Sequence, residues 1–166
     1  MADAPLGLTS GLRVAVLADT HVPVRARDLP PTAWELIAAS DAAIHAGDVI
    51  APRLLDDLGA VVPTYAVRGN NDHEIPDSVP ERLEIELGGV AVAVVHDAGL
   101  SHGRRSRLRG WFPDARVVVY GHSHIPFLED DGDLLMFNPG SPPTAAASPR
   151  SRWRCCTSNP PVRGPS

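Results

Sequence analysis

The sequence predicts one α/β domain, and three observations carry the prediction. Residues 12–18 (LRVAVLA) form a nearly continuous apolar run, which suits a strand buried on both faces better than one with a solvent side. A β-α-β start follows, because Pro30-Pro31-Thr32 opens a helical stretch over 33–40 and 41–45 then reads as the next strand. Finally, polar residues gather directly after the apolar runs. In the opening helix Trp34, Leu36 and Ile37 can face a sheet. Further along, the chain reads as a short helix at 52–58, a strand at 64–67, and a hairpin whose arms 82–87 and 90–96 turn at Gly88-Gly89. A basic helix at 104–111 and a buried strand at 116–120 come next. A last strand at 134–137 is reached through the acidic turn Glu129-Asp130-Asp131-Gly132-Asp133.

With 166 residues, the chain fits one domain with a real core. Its 15 Lys and Arg against 20 Asp and Glu give a net charge of -5, which argues against gripping nucleic acid or anionic membrane by bulk charge. A phosphate would have to meet local positive charge instead. No apolar stretch approaches the ~20 residues of a membrane span, and residues 1–11 lack signal-peptide character, so the expected compartment is the cytoplasm. Cys155 and Cys156 are adjacent and form neither an ordinary disulfide framework nor a spaced metal knuckle.

The character changes after residue 141. Residues 142–166 are Pro, Ala, Ser and Arg without periodicity, so the domain is expected to occupy 1–141 and the remainder to be a disordered tail. The same mixture is what GC-rich DNA gives out of frame. Read from the third base of each codon, with GC-rich codons, residues 143–158 become Asp-Arg-Arg-Arg-Gln-Pro-Pro-Leu-Thr-Val-Ala-Leu-Leu-His-Leu, which ends in a strand-like run.

Five segments place metal-competent residues just after an apolar run: Asp19 and His21, Asp48, Asn70, His96, and His122 with His124. In an open α/β sheet the carboxyl ends of the strands line one edge, where ligands bind. Residues two apart in extended chain point the same way, so Asp19 with His21, and His122 with His124, can each aim a pair of side chains at one point. Any one of these histidines alone is more simply a hydrogen-bonded structural residue. Together they require five coincidences in order.

Asp19-Thr20-His21, Gly47-Asp48, Gly69-Asn70-Asn71-Asp72, His96-Asp97 and Gly121-His122-Ser123-His124 resemble the ordered motifs of calcineurin-like metallophosphoesterases, nearest to their small bacterial and archaeal phosphodiesterase subgroup. The likeness spans residues 13–141, including Asn138-Pro139-Gly140-Ser141. It implies a four-layer αββα sandwich, two mixed sheets flanked by helices. It also implies two divalent metal ions: Asp19, His21 and His124 on the first, Asn70, His96 and His122 on the second, Asp48 bridging. Manganese heads the expected ions, with iron, zinc, nickel or magnesium as alternatives. The implied chemistry is in-line attack on a small phosphate ester, most simply a diester, by a bridging water that the metals make hydroxide near neutral pH.

Arg68 is a candidate for neutralising the phosphate, and the arginines of 104–109 read as a solvated helix face in preference to a phosphate cradle. Many superfamily members have histidine where this chain has Asn71, and an amide cannot deliver a proton to a leaving group. His73 is the candidate substitute, and Asp72 either orients a neighbour or caps the turn. Asp97 stands where the family usually has glycine. His45 reads as a structural residue behind the site, and His102 as a loop residue. The alternative function is a non-catalytic interaction scaffold of the same fold, as in the retromer subunit; here every ligand position holds a competent residue, which favours the enzyme.

Overall fold

The computed structural model describes residues 11–142 and 155–157. Two sheets face each other. The first has the order β3-β2-β1-β9, from β1 (Arg13–Leu17), β2 (Ala42–His45), β3 (Thr64–Ala66) and β9 (Cys155–Thr157). β1 pairs parallel with β2, and β2 with β3. The crossovers are α1 (Pro31–Ala38) and α2 (Pro52–Val61). Each helix carries proline in its first turn, where the missing N–H has no partner to lose. Their buried residues fall four apart, Ala33 with Ile37 and Leu54 with Leu58, so one face of each helix meets the sheet.

The second sheet runs β4-β5-β6-β8-β7, from β4 (Arg82–Leu87), β5 (Val90–Val95), β6 (Val117–Val119), β7 (Phe127–Asp130) and β8 (Leu135–Asn138). β5, β6 and β8 are parallel neighbours, and α3 (Arg104–Trp111) makes the crossover from β5 to β6. The core has three layers of its own. Leu17, Ala43 and Val49 pack with α1 and α2; Val16, Ile44, Val94, Val119 and Phe137 fill the space between the sheets; Ala93, Val118 and Tyr120 pack with Leu108 of α3. This is the αββα sandwich. β1 and β2 are covered on both faces over most of their length, which is why they read as nearly continuous apolar runs.

Two strands depart from the sequence reading. β7 includes Glu129 and Asp130, assigned above to a turn; as an edge strand it has a largely exposed, acidic pattern without apolar alternation. Arg105 and Arg116 neutralise it, contacting Glu129 at 2.6 Å and Asp130 at 3.0 Å. The second is β9, which lies inside the stretch read as a patternless tail. It pairs antiparallel with β1 (Arg13↔Thr157, Val14↔Cys156, Ala15↔Cys155), so the folded unit extends past residue 141. Three residues are too few to show a period. The rest of the tail reading, 143–154 and 158–166, lies outside the described residues.

Candidate metal centre

Each site segment leaves the carboxyl end of a strand. Asp19 and His21 follow β1, Asp48 follows β2, Asn70 follows β3, His96 follows β5, and His122 and His124 follow β6. Backbone bonds stitch these loops together: the Asp19 N–H donates to the Gly47 carbonyl at 3.0 Å, His21 N–H to Asp48 at 3.0 Å, and Gly121 N–H to His96 at 2.9 Å. The last bond joins two strand-end loops of the second sheet, and the His122 N–H reaches across to Asp19 Oδ1 of the first at 3.2 Å. Asn138 and Ser141 brace the same corner, donating to the Gly121 carbonyl at 2.9 Å and the Asp19 carbonyl at 2.7 Å.

The turns are tight. Asp19, His21, Asp48, His122 and His124 all have left-handed backbone, with φ of 53°, 48°, 57°, 67° and 57°. Such positions cost roughly 1–3 kcal/mol each and concentrate where structure serves a site. Glycine makes the close approaches: a Cβ on Gly47, itself at φ 88°, would stand 2.6 Å from His96 Nδ1, and one on Gly69 would strike the Asp48 carboxylate.

Donor atoms from Asp19, His21, Asp48 and His124 lie within 4.8 Å of one another. His21 Nε2 is 3.6 Å from Asp48 Oδ2 and His124 Nε2 is 3.4 Å from Asp19 Oδ1. A second group adjoins it. Asn70 Oδ1 sits 3.1 Å from both His96 Nε2 and His122 Nδ1, and His96 Nε2 is 3.5 Å from Asp48 Oδ1. Asp48 therefore stands between the groups. Asp19, His21 and Asp48 are buried, whereas Asn70 and His122 are exposed.

The donor set fits divalent ions. Asp19 Oδ2 and His21 Nε2 are buried without a hydrogen-bond partner among the described residues, a costly arrangement unless something else satisfies them. The His96 ring is oriented by its Nδ1–H donating to the Ala46 carbonyl at 2.7 Å, which leaves the Nε2 lone pair facing the site. Burial, then the neighbouring Asp48 charge, raises the Asp19 carboxyl to about 7. Burial also pushes Asp48 upward, but the Asn71 N–H groups and the nearby His96 outweigh it and hold this carboxyl below its usual range. Burial lowers His21 and His124, favouring the neutral rings that ligate metals.

The other expected residues separate. Asn71 donates to both Asp48 oxygens, from its N–H at 3.0 Å and its Nδ2 at 2.7 Å. Asp72 accepts from three backbone N–H groups and so orients its neighbours, one of the two alternatives above. His73 is exposed and its side chain joins neither donor group. Arg68 stands apart from both donor groups, its guanidinium pairing with Asp77 at 2.6 Å and approaching Glu81 at 4.0 Å, so acidic neighbours share the charge expected to meet phosphate. The arginines of α3 are structural, as Arg105 pairs with Glu129 and Asp131 and Arg109 with Asp133. His45 is wholly buried, its Nε2 2.9 Å from the Thr20 hydroxyl. Sequence reasoning missed Arg25, whose Nη1 is 3.0 Å from His124 Nδ1. Its only signal was position, four residues beyond His21 in the same loop.

Two facing sheets with carboxylate, imidazole and amide donors converging at their strand ends define the metallophosphoesterase class of αββα domain. The chain belongs to the calcineurin-like phosphoesterase superfamily, whose domain matches residues 12–157. It is 31% identical over 131 residues to a probable metallophosphoesterase of Methanothermobacter thermautotrophicus, covering 78% of this chain and 76% of that one. A probable metallophosphoesterase of Methanocaldococcus jannaschii is 35% identical over 132 residues, covering 78% and 67%. Among solved structures, Vacuolar Protein Sorting 29 of Cryptosporidium parvum superposes with TM-score 0.70 at 25% identity, covering 79% of this chain and 75% of that one. A predicted phosphoesterase of Streptococcus pneumoniae gives 0.59 at 26% identity, covering 81% and 76%.

Proposed function

We propose that this phosphoesterase is a phosphodiesterase acting on small phosphate esters with two divalent ions, manganese first among them. Asp19, His21 and His124 hold one ion, Asn70, His96 and His122 the other, and Asp48 is shared. The observation that carries the reading is the convergence of four donors within 4.8 Å together with two unpartnered buried polar atoms among them. When bound, such ions polarise phosphoryl oxygens and make a water nucleophile available near neutral pH.

The chain's own residues prepare that chemistry. Asn71 fixes the Asp48 carboxylate through two hydrogen bonds, and Ala46 fixes the His96 tautomer. Asn71 has no proton to give, so good leaving groups gain most: nitrophenyl esters should turn over far faster than alkyl esters. If exposed His73 reaches the leaving group, His73→Ala slows alkyl esters selectively, by ~10²–10⁴-fold. Equal slowing of both ester types assigns His73 a structural role.

The deciding experiment is turnover of bis-p-nitrophenyl phosphate and p-nitrophenyl phosphate with and without manganese, in wild type and Asp48→Ala. Metal-dependent diester turnover that disappears in the variant supports the reading. Full activity in Asp48→Ala, or in protein shown to be metal-free, ends it.

A non-catalytic scaffold is the second reading, favoured by exposed apolar side chains on the loops leaving the site. Val24, Leu100 and Ile125 are 75%, 80% and 66% exposed. Ion binding without turnover across a panel of mono- and diesters would support it.

A further inference from the structure

We infer that Arg25 binds the substrate's phosphoryl anion, and that ion binding at His124 is what releases Arg25 to do so. The inference rests on the reading of the site as one for divalent ions. It begins from the 3.0 Å contact between Arg25 Nη1 and His124 Nδ1. A guanidinium carries only donors, so Nδ1 must accept. In a neutral imidazole the other nitrogen then bears the proton, and here that nitrogen, Nε2, faces Asp19 Oδ1 at 3.4 Å.

This arrangement is incompatible with an ion on Nε2. To offer its lone pair inward, His124 must carry its proton on Nδ1, as ligating histidines do with their outer nitrogen. Two N–H donors would then face each other across the same 3.0 Å, and a hydrogen bond would become a repulsion. The arriving positive charge adds to it. Arg25 is the partner able to move: its side chain is exposed, while its backbone stays tied by the N–H donating to the His21 carbonyl at 2.9 Å. The guanidinium swings on a fixed stem at the rim of the site.

Its destination follows from charge. The chain contains no lysine, so a cationic side chain that meets an anion must be arginine or protonated histidine. Arg68 is held by Asp77, and Arg105 and Arg109 by the acidic residues around β7. Arg25 has no carboxylate partner among the described residues and already touches a donor of the site. Its planar fork matches two phosphoryl oxygens. Ion-free protein thus keeps Arg25 docked on His124, and loaded protein presents it to the anion.

The test uses full-length wild type and Arg25→Met, zinc as a diamagnetic ion, and inorganic phosphate as the probe. Nitrogen-15 spectra of the histidine rings, with His124 assigned by its loss in His124→Asn, should show Nε2 protonated in ion-free wild type and Nδ1 protonated with zinc. Arg25→Met should lose the ion-free Nε2–H preference. By calorimetry it should bind zinc at least as tightly as wild type, yet phosphate on the zinc-loaded protein should bind about tenfold more weakly, the scale of one charge-assisted hydrogen bond. Unchanged phosphate affinity in loaded Arg25→Met overturns the proposal, as does weakened zinc binding or an Nδ1 already protonated without zinc. Failure of wild type to bind zinc or manganese at all would sink the ion-site reading itself, a result distinct from those three.

Discussion

Asp72 holds Asp48 in place through the backbone, its Oδ2 accepting the Asp48 N–H at 2.9 Å. The same oxygen takes the Gly69 N–H at 2.7 Å, and Oδ1 takes the Ile50 N–H at 2.7 Å. One buried carboxylate therefore ties the loop after β2 to the loop after β3. Asp72→Ala would leave three backbone donors without their acceptor, at about 1–3 kcal/mol for each that water cannot reach. Chemical denaturation should show a loss of several kcal/mol, and metal affinity should fall ~10–100-fold because the ligand loops lose their registration. Asp72→Asn, which keeps one acceptor oxygen, should fall between. Wild-type stability in Asp72→Ala would show that the two loops hold their positions without it.

The two donor groups differ in charge and cover. Asp19 and Asp48 give the first two carboxylates, and its members are buried or half-buried. The second shares Asp48, adds the neutral Asn70, and includes the exposed His122. Manganese should therefore bind in two steps, the tighter at Asp19, His21 and His124. Titration calorimetry should resolve two affinities, with Asn70→Ala removing the weaker and His21→Ala the tighter. A single cooperative step untouched by Asn70→Ala would contradict this order.

The separation of legible from illegible features has physical causes. β1, β2 and β5 could be read because burial on both faces demands apolar residues over most of their length. The meeting of the seven candidate donors could be read because strand ends restrict position, and the loops that leave them converge. β7 could not, since an exposed edge strand is free to be acidic, and its pairing depends on arginines from elsewhere in the chain. The ion pairs of Arg68 were hidden for a related reason: its partners Asp77 and Glu81 are set by tertiary contact. Arg25 meets His124 across 99 residues, a proximity that spacing cannot express.

His45 makes stability depend on pH in a definite direction. Complete burial holds the ring near a pKa of about 3, against its ordinary 6.5, with the neighbouring His96 adding to the effect. The folded protein thus keeps His45 neutral while the unfolded chain takes up a proton below about 6.5, so this residue costs stability as pH falls from 6.5 toward 3. The slope approaches about 1.4 kcal/mol per pH unit. Asp19, raised to about 7, acts oppositely over its own window: ionising it inside the fold costs stability as pH rises from 3.8 toward 7. The two overlap, so the difference between wild type and His45→Gln isolates the histidine. Metal-free His45→Gln should be less stable at pH 7, through loss of the Thr20 contact, and should lose stability less steeply from pH 6.5 to 4.5. Parallel curves for the two proteins would mean that His45 is protonated in the fold.

β9 decides how the open side of β1 is covered. Its three residue pairs give that strand a neighbour, and without them β1 would present an unpaired edge, the usual seed of strand-to-strand association. Ending the chain at Pro142 should lower stability by about 1–3 kcal/mol, on the order of one net contribution per lost ladder bond, and increase aggregation on heating. Every donor of the metal site precedes Ile125, so manganese binding at low temperature should persist. The out-of-frame reading makes the stronger test. Its apolar end, Ala-Leu-Leu-His-Leu, overlaps β9, which pairs with a strand whose Val14 and Val16 line an apolar cavity of about 50 Å³ between the sheets. Replacing 143–158 with Asp-Arg-Arg-Arg-Gln-Pro-Pro-Leu-Thr-Val-Ala-Leu-Leu-His-Leu should raise the melting temperature by several degrees, because larger apolar side chains would join the edge of the core. Resequencing the gene and an intact mass of the native protein check the frame itself. A frame and mass matching the present residues, with no gain in stability from the replacement, would establish 143–166 as the genuine end of this sequence and β9 as its own adequate cover.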